Sequence, residues 1–154
     1  SSRIYFLGSS GGGYAVLRLG EVIPKLPAAI VPMAGYYPDM PGQDHDVSNM
    51  VDRLRGVAVL PMHCELDKLC RVDMPHVQQL YALLQERNGV TVEWVPSKTA
   101  RGSNSNYHSA HQRIFNDPDL FFQQLNGYAR HDMRDAAAYL RERLSELAPA
   151  WQGR

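Results

Sequence analysis

Three residue types in this chain could combine into nucleophilic chemistry. The first is serine, in the stretch "RIYFLGSSGGGYAV" at residues 3–16, where Ser9 and Ser10 are walled in by Gly8, Gly11, Gly12 and Gly13. The second is a carboxylate, Glu65 or Asp67, in "MHCELDKLC". The third is a histidine, His108 or His111, in "SNSNYHSAHQRIFNDPDLF". Serine is a weak nucleophile and needs a base, and the base needs an orienting carboxylate. The three segments follow in the order Ser, Asp/Glu, His, one of the chain orders in which such a triad is built.

The glycine loop admits two phosphate-binding readings, and both fail on detail. A dinucleotide-binding G-x-G-x-x-G would need glycine at position 10, which is Ser. A P-loop would end in Gly-Lys-Ser/Thr, but Gly13 is followed by Tyr14 and Ala15. The pattern G-x-S-x-G does fit, as Gly8-Ser9-Ser10-Gly11-Gly12. A tight strand-to-helix turn forces its serine into a strained backbone and requires small neighbours. The hydroxyl then projects at a helix N-terminus, and the backbone N–H of Gly11 can donate to an oxyanion. Ser10 is thus the candidate nucleophile.

Such residues need a sheet edge to hold them. Apolar runs predict strands at Arg3–Leu7, Ala28–Met33, Val57–Met62 and Val90–Val95. Helices are expected over Gly12 to about Ile23, Met74–Asn88 and about Asp132 to Leu147, with another starting at Asp117-Pro118. Residues 39–49 and 97–106 read as polar loops. Continuously apolar strands alternating with helices imply an α/β fold: a parallel sheet of about four strands flanked by helices. In such sheets ligands bind beyond the carboxyl ends of the strands, where Ser10, Glu65 and Asp67 would fall. The chain reads as one partial domain over residues 1–154, with an additional C-terminal helix at about 132–147 whose Met133, Ala136, Ala137, Leu140, Leu144 and Leu147 share a face.

Bulk composition narrows the partners. The 154 residues are 44% hydrophobic, ordinary for a packed domain. Sixteen basic residues balance sixteen acidic ones, which gives no global attraction to nucleic acid or anionic membrane. No apolar stretch approaches the roughly 20 residues of a membrane span. The first residues carry no basic-then-apolar targeting pattern, and the compartment stays open. Cys64 and Cys70 flank one loop and read as free thiols. Asp44-His45-Asp46 reads as a solvated loop, and no metal or other cofactor is expected. Trp94 and Phe121-Phe122 read as core residues; Tyr36-Tyr37 could line a pocket or simply pack.

Three stretches together resemble the carboxyl-terminal half of an α/β-hydrolase, of the branch that holds polyhydroxybutyrate depolymerases, feruloyl esterases and related carboxylesterases. "RIYFLGSSGGGYAV" looks like that branch's nucleophile elbow. "VAVLPMHCELDKLC" looks like its strand ending in His-Gly-x-x-Asp. "YHSAHQRIFNDPDLFFQQL" looks like its segment of catalytic His, aromatic residue and Pro-x-Leu. The resemblance implies Ser10 as nucleophile, Asp67 rather than Glu65 as the acid and His108 rather than His111 as the base. Phe115, Pro118 and Leu120 match the rest of the pattern, and the likeness runs to about Tyr128. Cys64, Gly11, Tyr107 and Asp117 depart from the usual residues, and the helix from Asp132 is extra.

The resemblance implies a serine hydrolase acting on a small-molecule carboxylic ester or related acyl bond. The alternative is a catalytically silent hydrolase-like subunit with a structural or assembly role. The strands that precede the elbow in that fold have no counterpart in this sequence. The strand at Ile4–Leu7 would then be a sheet edge, and a preceding segment or a second chain is expected to complete the sheet there.

Overall fold

The computed structural model describes residues 3–34, 47–64, 67, 73, 75–88, 93–95, 125, 127–129 and 135–151. Among the described residues four strands and four helices are set in the order β1 (Tyr5–Ser9), α1 (Gly11–Val22), β2 (Ala29–Met33), α2 (Val47–Arg53), β3 (Met62–Cys64), α3 (Pro75–Asn88), β4 (Glu93–Val95) and α4 (Ala136–Trp151). The strands form one parallel sheet in the order β1-β2-β3-β4. The α/β fold expected from the apolar runs is the fold observed.

Each crossover moves one strand along in the same direction, which puts the crossover helices on one side of the sheet. The core confirms that arrangement. Leu17 of α1, Met50 and Val51 of α2, and Val77, Leu80 and Leu84 of α3 pack with Ile30 and Val59 in a single buried cluster. The opposite side of β2 presents Ala29, Val31 and Met33, which pack with Met62 and Leu125. β2 is buried along its whole length, as a central strand covered on both faces must be. Fully burying a side chain such as Ile30 contributes roughly 1.5–3 kcal/mol.

Four elements differ by two or more residues from their expected limits. The strand expected over Arg3–Leu7 runs Tyr5–Ser9. The strand expected over Val57–Met62 is interrupted. Val59 bridges Ile30, and the ladder resumes at Met62–Cys64. The Ile30 N–H donates to the Ala58 carbonyl and the Ala34 N–H to the Met62 carbonyl, both at 2.8 Å. That spacing makes residue 32 the donor for Leu60, and residue 32 is proline, without an N–H. The helix α2 takes in Val47–Asn49, expected as loop; Val47, Met50, Val51 and Leu54 lie at helical spacing and pack into the core. The last helix is set by Asp135, whose Oδ1 accepts from the Ala138 N–H at 2.9 Å, and it continues past Leu147 to Trp151 with Pro149 in its final turn.

That last helix also docks differently from its apolar stripe. Ala137 and Leu144 are exposed, Leu144 at 56%, and Ala136, Leu140 and Leu147 are only half-buried. Its fastening is polar instead: Arg143 Nε donates to the Val22 carbonyl at the end of α1, at 2.9 Å. Arg143 also pairs with Glu146 one turn on.

At the other end of the sheet β1 pairs with β2 alone among the described residues. The Ser10 N–H donates to Met33 and the Ile4 carbonyl accepts from Ala28. By alternation the N–H and C=O groups of Tyr5, Leu7 and Ser9 face away from β2. Ile4 and Leu7 are more than a third exposed, as is Leu19 on α1.

The helix expected from Asp117-Pro118, the loop at 97–106, Met133, Cys70, Asp44–Asp46, Tyr36-Tyr37, Phe121-Phe122 and the side chain of Trp94 lie outside the described residues.

Candidate active site

The turn from β1 into α1 has the geometry its glycines require. Ser10 is the N-cap of α1, at φ 56° and ψ −124°. Those angles are the first central position of a type II′ turn, which glycine normally fills. Its side chain does not cap the helix it begins, so the hydroxyl is not spent on the role serine usually plays at a helix start.

The neighbouring glycine explains why the turn can be so tight. A Cβ added to Gly8 would lie 2.1 Å from the Gly12 carbonyl oxygen and 3.0 Å from Val16 Cγ1. The strand end and the helix start are in backbone contact there, and only glycine fits. Gly11 and Gly12 are open by the same measure, with nothing within 4 Å. The Gly13 and Tyr14 N–H groups donate to the Ser10 carbonyl. The N–H groups of Gly11 and Gly12 have no intrahelical acceptor, as first-turn donors never do. They stand at the positive end of the α1 dipole, beside Ser10.

The carboxyl end of the sheet carries a second strained residue. Ala34, just past β2, has φ 43° and is fully buried. Its N–H holds the Met62 carbonyl while Ser10's N–H holds the Met33 carbonyl. The ends of β1 and β2 and the start of β3 are thereby tied together. Ser10 and Ala34 are the two non-glycine residues with positive φ among those described, and both are at this edge. Strain of this kind concentrates where a fold positions chemistry.

Asp67 lies three residues beyond β3, 3% exposed. Strand order puts β2 between β1, which leads into Ser10, and β3, which leads toward Asp67, so those two strands lie two spacings apart, roughly 10 Å. His108, His111 and Glu65 lie outside the described residues, so of the expected set the described fold brings Ser10, Gly11 and Asp67 to one edge.

One further residue neighbours the carboxylate, and a second contacts that neighbour. His63, within β3, is fully buried. Its Nε2 is 3.9 Å from Asp67 Oδ2, and its Nδ1 is 2.6 Å from the Tyr81 hydroxyl of α3. The two rings meet edge to face, centroids 5.8 Å apart. Sequence reasoning used His63 only as part of a motif and Tyr81 only as a helix-face apolar residue. A histidine two residues after a proline in a buried strand, four before an aspartate, was the available signal.

Among the described residues no cluster of three or more His, Cys, Asp or Glu could hold a metal ion, and no helix is long and apolar enough to cross a membrane.

No family model matches the chain, and no curated protein matches it. Among solved structures it is similar to one described as "Crystal Structure of a Thermostable Esterase", with a TM-score of 0.59 and 23% sequence identity. The likeness covers 82% of this chain and 31% of that one. This chain shares the α/β fold of part of that structure and spans about a third of its length.

Proposed function

We propose that this chain carries the nucleophile of a serine hydrolase acting on a carboxylic ester or related acyl bond. The observation that carries the reading is the backbone of Ser10: a serine at φ 56° and ψ −124°, on a strand-to-helix turn closed by contact between Gly8 and Gly12. The esterase-like fold supports it.

In this reading His108 removes the proton from the Ser10 hydroxyl as Oγ attacks the acyl carbon. The carbonyl π electrons move onto oxygen, and the Gly11 N–H donates to that oxyanion. Collapse expels the alcohol, which takes the proton from His108, and leaves an acyl-enzyme. Water, deprotonated by His108, then releases the acid and restores Ser10. Asp67 holds the imidazole in the required orientation. No cofactor enters any step. A small-molecule ester is the substrate class. A preceding segment or a second chain completes the sheet beside Ile4–Leu7.

A fluorophosphonate probe tests the reading. Wild-type protein should be labelled and Ser10→Ala should not. Equal labelling of the two, or none of the wild type, overturns it.

The second reading is a catalytically silent hydrolase-like subunit that serves assembly. The exposed Ile4 and Leu7 on the open side of β1, with Leu19 on α1, favour it. An unlabelled wild type that nonetheless folds would leave this reading standing.

A further inference from the structure

The open side of β1 gathers most of the exposed apolar surface. Of the four large apolar side chains exposed among the described residues, three lie there: Ile4 and Leu7 on or beside the strand, and Leu19 on α1. Both faces of the sheet contribute. Leu7 shares the side of Tyr5, away from α1, while Ile4 points with Phe6 toward the helices. α1 runs back over β1 from the Ser10 turn, so its second half, with Leu19, lies over the start of the strand. Glu21 fixes the rotation of α1, because it pairs with Arg53 of α2. Leu19 is about 200° round the helix from Glu21 and so faces away from α2, toward the open side. Gly12 and Ala15, both exposed, share that flank with Leu19 at successive spacings of three and four residues.

We infer that the occupant of this edge is a second copy of this chain, bound across a two-fold axis at Leu7. Two identical strand edges hydrogen-bond fully when they meet antiparallel, the arrangement a two-fold axis normal to the sheet creates. The groups that face away from β2 belong to Tyr5, Leu7 and Ser9, a set symmetric about Leu7. Leu7 then exchanges both bonds with Leu7 of the copy, and Tyr5 with Ser9 of the copy, about six hydrogen bonds in all. The two Leu7 side chains cover one another at the axis. On the other face α1 packs on both β1 and β2, so the two copies of α1 stand about two strand spacings apart, roughly 10 Å. Packed helices lie about 8–10 Å apart. Gly12 and Ala15 leave space for that approach, and Leu19 and Ile4 fill the seam. Acidic and basic residues balance at sixteen each, so no net charge holds the copies apart. The symmetry about Leu7 and the small outer flank of α1 favour a copy over a preceding segment. The inference rests on the open edge and not on the serine chemistry.

Sedimentation equilibrium of the wild-type chain over roughly 1–100 μM should give twice the mass of one chain. Leu7→Lys and, separately, Leu19→Glu each set like charges against each other across the axis and should weaken association about 100-fold or more. Both side chains are more than a third exposed, so circular dichroism should stay that of wild type. Position is read by cross-linking. Leu7 and Leu7 of the copy would have Cα atoms about 5.5 Å apart, within the disulfide range of about 4.4–6.8 Å. Leu7→Cys should therefore link two chains on mild oxidation, with the bond located at residue 7 by peptide mass spectrometry. Leu144→Cys, on α4 and more exposed, should not link. A wild type that sediments as single chains overturns the inference and leaves the edge to a preceding segment. Assemblies larger than two chains overturn it as well, since a two-fold contact closes on itself. So does undiminished association in folded Leu7→Lys and Leu19→Glu, or linking at residue 144 as readily as at residue 7. If Leu7→Lys does not fold, Leu19→Glu and the cross-link decide.

Discussion

A side chain on Gly8 would begin 2.1 Å from the carbonyl oxygen of Gly12. No rotamer can relieve that overlap, since Cβ is fixed by the backbone and the atom it meets is backbone too. Gly8→Ala should therefore either open the turn that carries Ser10 or unfold the chain. We expect a stability loss above about 3 kcal/mol, in the range of severe overpacking and lost backbone geometry. Urea denaturation followed by far-ultraviolet circular dichroism would measure it. A loss under about 1 kcal/mol would show that β1 and α1 are not in contact there.

Gly20 makes a similar approach with a different outcome. Its added Cβ would lie 2.1 Å from Ile30 Cδ1, the mobile tip of a side chain. Alanine in a helix interior gains up to about 1 kcal/mol over glycine, and overpacking costs about 1–3 kcal/mol. Gly20→Ala should be net destabilising. Ile30→Val deletes the atom in the way, so the double variant should be more stable than the two single effects predict, by about 1 kcal/mol or more. Additive effects would mean that the α1–β2 contact is looser than described.

Glu21 is buried on α1 between two arginines. Arg53 of α2 donates to its Oε1 at 2.7 Å, and Arg18 approaches its Oε2 to 2.5 Å without hydrogen-bond alignment. Both arginines are about half-exposed, which weakens the pairs by screening. Arg53→Met should cost about 1 kcal/mol and cost less at 1 M salt. An equal loss at both salt concentrations would assign the effect to packing of the arginine stem.

Arg143 is the polar fastening of α4, donating to a carbonyl that α1 leaves unpaired at its end. Arg143→Ala should raise amide hydrogen exchange across α4 by roughly fivefold. Exchange in β1 and β2 should stay unchanged, because none of residues 136–149 of α4 is fully buried. Faster exchange throughout would make α4 part of the cooperative core.

The sheet was legible because its strands are apolar runs broken by turn residues, and burial on both faces demands such runs. The bend at Ser10 was legible because a residue at its angles needs glycines around it. The break in β3 was harder to see, because it comes from Pro32 in the neighbouring strand rather than from Val57–Met62 itself. The fastening of α4 was also hidden. Its leucines suggested an apolar dock, while the contact that forms is a guanidinium on a helix-end carbonyl. The His63–Tyr81 pair depends on α3 crossing beside β3, a tertiary relation that no spacing within either segment encodes.

The sheet order also bears on the route by which the chain reaches this shape. Each described strand pairs with the described strand next to it in sequence, so each closure spans one crossover, and the entropy lost at each step is small. During synthesis the β1–α1–β2 unit can close before the rest of the chain exists, and each later unit adds to a finished edge. The bend at Ser10 belongs to that first unit. A later event is a return over a long sequence distance, when the Tyr5 hydroxyl comes within 2.8 Å of the Tyr128 carbonyl and 3.1 Å of the Leu125 carbonyl. A nascent chain stalled before residue 125 would hold a formed bend at Ser10 beneath a sheet face not yet covered by Leu125, the species that a chaperone would meet.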